Sequence, residues 1–142
     1  MGLYLNPGAM ALRQARASKI YVDKTGLLEY LDEVVNTEQR FVCVSRPRRF
    51  GKTMSANMIS AYYDRTVDGA TEFSGLAIID SPAFDTHRNS FDVIRLNIAE
   101  FLSESDDVDA MIATLSNSVL WELLDAYPDV RYFNKHTWPS PI

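Results

Sequence analysis

Gly51, Lys52 and Thr53 stand in a row behind a basic turn, SRPRRF from Ser45 to Phe50, and supply the groups that hold a chain of phosphates. Glycine lets the backbone come close to an anion, and a helix starting beside it presents unpaired N–H groups and the positive end of its dipole. Lys52 would reach the β- and γ-phosphates, and the Thr53 hydroxyl would take one position on Mg²⁺. Arg48 and Arg49 could pair with phosphate oxygens or reach a nucleotide on a neighbouring subunit; as surface charges they could equally be solvated. The candidate ligand-binding residues are therefore Arg48, Arg49, Phe50, Gly51, Lys52 and Thr53, with Thr53 also the candidate metal ligand.

Such a turn works only between a strand and a helix. Phe41, Val42, Cys43 and Val44 form an apolar run of β-formers, as expected of a strand covered on both faces in a mostly parallel sheet. Cys43 then reads as a small core residue rather than a nucleophile. Residues 53–63 read as the helix, because Met54, Met58, Ile59 and Tyr62 recur at spacings of three and four. The full phosphate-loop pattern is G-x-x-x-x-G-K-[ST], and Arg46 occupies its first glycine position. Pro47 removes one N–H and stiffens the approach.

The segments YVDKTGLL (Tyr21 to Leu28), RFVCVSRPRRFGKT (Arg40 to Thr53), ANMISAYY (Ala56 to Tyr63) and FSGLAI (Phe73 to Ile78) resemble the bacterial AAA-ATPase-like family, whose phosphate loop carries SRPRRFGK. Arg46 in place of glycine is then expected. The resemblance implies a P-loop NTPase-type three-layer α/β sandwich with a mostly parallel sheet, here incomplete, as one N-terminal domain spanning 1–142. It implies ATP with Mg²⁺ as the ligand. Longer relatives continue into an acidic strand end of the form LIDEYD and often a nuclease-like domain; neither occurs in this sequence, so a truncated gene is one reading. With no obvious carboxylate partner for the metal, slow hydrolysis or none is expected. The alternative is a non-hydrolysing interaction or nucleic-acid-associated fragment that uses the arginine loop.

Other residues carry weaker signals. VIRLNI, from Val93 to Ile98, reads as a second strand ending at Asn97, a neutral residue and a poor metal partner, with Glu100 the nearby acid. Asp23 and Thr25 precede a helix expected over Gly26 to Asn36, where they would cap its first N–H groups. Alternatively, Tyr21 to Thr25 would line the base side of a nucleotide site, with Tyr21 stacking. Asp23 to Gly26 also spells DxxG, yet it precedes the phosphate loop, and Asn134-Lys135 lacks the aspartate that reads guanine, so adenine is preferred. His87 and His136 have no ligand partners at metal spacing.

Charge is segregated along the chain. Arg40 to Lys52 holds five basic residues and no acid, whereas Glu100 to Asp129 holds eight acids and no Lys or Arg; the net charge is −5. That balance disfavours a general nucleic-acid surface, and a local basic loop suits a compact polyanion. A single cysteine and the lack of a leader-like start or a long apolar run suggest a cytoplasmic protein without a membrane segment. A final helix is expected over Asp106 to Ala126, its apolar face built from Val108, Met111, Ile112, Leu115, Val119, Leu123 and Leu124, with Asp106, Asp107 and Asp109 at its positive end. Beyond it, Tyr132, Phe133, Trp138 and Ile142 would favour self-association or a protein partner if exposed.

Overall fold

Met58, Ile59 and Tyr62 predict a helix after the basic turn, and it is present as α3, Lys52–Tyr63. In this computed structural model, which describes residues 2–103 and 107–130, the chain divides into two compact units, Met1–Leu96 and Asn97–Ile142. Helix α3 anchors the first. Its C-terminal half is enclosed through Met58, Ala61 and Tyr62, and α1, Met10–Arg16, packs beside it with Leu12 turned inward. Helix α2, Gly26–Val34, turns Leu28 and Asp32 to the interior, four residues apart on one face.

Three short elements close the core: α4, Gly69–Glu72, a 3₁₀ turn at Ala77–Asp80, and α5, Phe84–His87. They bring Phe73, Ile78 and Phe84 against the tyrosines. The Tyr62 ring meets Tyr63 and Phe73 edge-on, with centroids 5.0 and 5.5 Å away, the arrangement ring quadrupoles favour. One buried carboxylate serves both hydroxyls: Asp32 Oδ2 accepts from Tyr62 at 2.6 Å and Oδ1 from Tyr63 at 2.9 Å. Helix α1 is tied across by Arg13, which bonds the buried Glu72 carboxylate through Nε at 2.7 Å and also through its terminal nitrogen.

The expected parallel α/β sandwich is not the architecture. The described residues are mainly helical and contain no sheet, only isolated bridges between Leu5 and Ile94 and between Asp64 and Phe91. A strand is held by ladder bonds to its neighbours. Phe41 to Val44 make none, and Phe41 is 83% and Val44 45% exposed. The core that run was expected to enter is filled by α1 to α3 and residues 73–84. Cys43 is likewise exposed rather than buried. The second expected strand is also corrected: Ile94 makes a single antiparallel bridge, and Ile98 already opens a helix.

Elsewhere, Asn6-Pro7-Gly8 bends the chain, with Asn6 at φ 49° and Gly8 at φ 77°, and leads into α1. Helix α5 is preceded by Ser81-Pro82, residues that favour a turn. In the second unit, α6, Ile98–Ser103, packs on α7, Val108–Ala126, around Phe101 and Met111. Asp107 caps α7, its carboxylate accepting from Ala110 N at 2.8 Å. Asp106 and the stretch holding Tyr132, Phe133, Asn134, Lys135, His136, Trp138 and Ile142 lie outside the described residues. No described helix is long and apolar enough to cross a membrane.

Candidate functional site

Two left-handed residues shape the basic turn: Arg49 at φ 68° and Gly51 at φ 79°. Gly51 is the N-cap of α3, no side chain caps that helix start, and its first turn holds no acid. The first N–H groups of α3 therefore lack a side-chain acceptor at a bend where glycine is the residue best suited. The Lys52 ammonium folds back over the turn, donating to the carbonyls of Arg46 at 2.5 Å and Pro47 at 3.3 Å.

Two adjoining concavities open at this turn. One, of about 420 Å³, is lined mainly by apolar side chains, among them Tyr21, Phe50, Met54 and Met58, with Arg49 and Gly51 at its edge. The other, of about 380 Å³, is lined by Lys24, Arg46 and Lys52 together with Leu27 and Val44. Lys24, Phe50 and Ser55 belong to both. Among the described residues no acid lines either cavity, and Lys24, Arg46 and Lys52 form no ion pair.

The segment carrying Tyr21 and Lys24 is fixed from behind. Asp23 Oδ1 accepts from Thr25 N at 2.8 Å and Thr25 Oγ1 at 2.7 Å, while Asp23 Oδ2 accepts from Ala77 N at 2.7 Å. Thr25 Oγ1 in turn accepts from Ile78 N at 3.1 Å. Helix capping by these two side chains is therefore corrected: Thr25 stands at the N-cap of α2 but makes no side-chain cap bond. Both side chains staple the segment to residues 77–78 instead. Partial burial raises the Asp23 carboxyl, but the bonds from Ala77 and Thr25, with help from Arg16, outweigh it and hold the group below its ordinary value. Burial pushes the Tyr21 phenol up, with Asp23 adding to the effect and Arg16 opposing it.

Of the residues singled out from sequence, Arg49, Phe50 and Gly51 border the apolar cavity, and Phe50 and Lys52 border the cationic one. Arg48 and Thr53 line neither; Thr53 sits in the first turn of α3. Sequence reasoning missed Lys24, Arg46 and Ser55 as lining residues. Arg46 was visible as the residue displacing the first glycine of the motif. Lys24 was hidden inside a DxxG that led nowhere. Asn97 and Glu100 belong to the second unit, where Asn97 Nδ2 donates to Glu100 Oε1 at 2.7 Å. Among the described residues no group of three His, Cys, Asp or Glu side chains converges.

A family model described as Predicted AAA-ATPase matches residues 11–137. The chain belongs to this AAA-ATPase-like family. The matched span contains the basic turn, α3 and both cavity linings. No curated protein and no solved structure matches the chain.

A nucleotide fits the donor set of this family member on one count and only thinly on another. The cation-lined cavity beside an uncapped helix start suits phosphates. For Mg²⁺ the turn offers the Thr53 hydroxyl and no lining carboxylate, whereas protein-bound Mg²⁺ is commonly held by one or two carboxylates besides phosphate oxygens.

Proposed function

We propose that the chain binds ATP at the 46–53 turn, with the phosphates on the cation-lined side and the adenine on the apolar side beside Tyr21. The observation that carries this reading is the gathering of Lys24, Arg46 and Lys52 around one concavity without a lining acid. Three like charges left uncompensated favour a compact anion. Family membership points the same way.

Lys52 leaves the carbonyls of Arg46 and Pro47 to meet phosphate oxygens, and the first N–H groups of α3 supply further donors. Arg49 and Phe50 border the ligand, and Arg48 contributes long-range attraction. Bound Mg²⁺ would neutralise phosphate charge, with Thr53 its one protein ligand at the turn. Turnover is slow, because among the described residues no lining side chain can act as the carboxylate that helps hold the metal or orients water.

Calorimetric titration with MgATP tests the reading. Lys52→Ala should weaken binding about ten- to hundredfold, the worth of a charge-assisted bond, while leaving the fold intact because the side chain is exposed. Unchanged affinity would remove the phosphate-loop assignment. Single-stranded DNA binding that falls steeply with salt and is not displaced by ATP would favour the nucleic-acid reading instead.

A further inference from the structure

We propose that Lys24, from the segment ahead of α2, is a second phosphate-binding lysine that acts at the waist between the two concavities. The proposal rests on the nucleotide reading above and adds to it a residue outside the loop motif. Lys24 is the one charged side chain lining both the apolar and the cationic cavity. Its ammonium donates to the carbonyl of Phe50 at 2.9 Å and lies 2.7 Å from where a Cβ on Gly51 would stand. It therefore touches the turn where the backbone bends into α3.

The local sequence explains this placement. Asp23 and Thr25 are both drawn to the backbone of residues 77–78, and the residue between them leaves on the other side, toward the turn. The two staples hold a cation in position without using an opposite charge. A lysine ammonium has three donors, and only one is occupied, by Phe50 O. Two N–H bonds and a full charge remain for a ligand crossing from one concavity to the other. In a nucleotide lying with its base on the apolar side, the groups at that crossing are the phosphates nearest the ribose. ATP and ADP share those groups, so Lys24 grips both.

The test is titration of the full chain with MgATP and with ADP at several salt concentrations, for wild type, Lys52→Ala, Lys24→Met, Lys24→Gln and Lys24→Arg, with thermal melting to verify folding. Lys24→Met and Lys24→Gln should each weaken ATP and ADP alike by about tenfold or more and flatten the salt dependence of affinity, because one charge contact is gone. Lys24→Arg should stay close to wild type. If Lys52→Ala loses affinity while both neutral Lys24 variants keep it, Lys24 is not a ligand and the nucleotide reading stands without it. Weaker binding with an unaltered salt dependence would overturn the proposal too, since it would reduce Lys24 to a tie on Phe50. Absence of ATP and ADP binding in the wild type would overturn the underlying reading together with this one.

Discussion

Asp32 offers one carboxylate to two buried tyrosine hydroxyls, and its removal does not harm them equally. Tyr62 has a second acceptor within reach, the Phe84 carbonyl at 2.9 Å, so its hydroxyl stays bonded after Asp32→Ala. The Tyr63 hydroxyl makes no other hydrogen bond among the described residues, and the residue is only 8% exposed. The substitution should therefore cost about 1–3 kcal/mol for the stranded Tyr63 hydroxyl and about 1 kcal/mol for the bond lost at Tyr62. Freeing the carboxylate from its buried site offsets part of this, which leaves a net loss of about 2–3 kcal/mol. Urea denaturation monitored by circular dichroism reads the change as a lower midpoint at constant slope. In a Tyr63→Phe background no hydroxyl is left to strand, so Asp32→Ala should cost about 1–2 kcal/mol less there. A coupling below about 0.3 kcal/mol would refute the reasoning, because the two residues would then be acting independently.

Alkaline pH should expose the same cluster. Burial first, then the bond and the charge of Asp32, raise both phenol groups well above the ordinary 10.0, so the unfolded chain ionises before the folded one. Stability should hold below about pH 10 and fall above it by up to about 1.4 kcal/mol per unit for each tyrosine; urea midpoints at pH 9 and 11 measure this, and Tyr63→Phe should roughly halve the slope. At the turn, Gly51→Ala places a Cβ at φ 79° and within 2.7 Å of the Lys24 ammonium. The lysine can move aside, so the backbone is what resists: a loss of about 1–2 kcal/mol in urea, with weaker MgATP binding in calorimetry, is expected.

Helices were readable where periodicity and burial agree. Leu28 and Val34 on α2 and Met58 and Tyr62 on α3 belong to apolar patterns at helical spacing and are buried, so pattern and packing carry the same message. Helix α7 forms as expected, but of its expected apolar face only Met111 is buried, and Val108, Ile112 and Leu124 are exposed. The sheet was misread because an apolar run states only that a segment can enter a sheet, not that partners for its backbone exist. Phe41 to Val44 satisfy the first condition and fail the second. Helix α1 was missed because its short sequence presents one fully enclosed side chain, Leu12, too few to show a period. The loop half of the site was legible in Gly51 and Lys52, since the chemistry is local. The other half was not. Asp23 and Thr25 meet partners 54 and 53 residues away, a pairing that no local spacing announces.

Those long-range bonds make the candidate site depend on the core rather than on a sheet. Thr25 is fully buried and bonded to Ile78 N, and Ile78 itself is fully buried in the cluster around Tyr62. The segment bearing Lys24 is thus referenced to the most enclosed part of the first unit, and Lys24 carries that reference to Phe50. At the other end of the turn, α3 runs from Gly51 into the same cluster through Met58 and Tyr62. The turn is gripped from both sides by elements sharing one core, while its cations form no ion pair among the described residues. Their mutual repulsion is offset by packing, and an anion seated among them would relieve it. Ligand binding and core stability should accordingly be linked, since whatever binds the folded form alone displaces the folding equilibrium toward it.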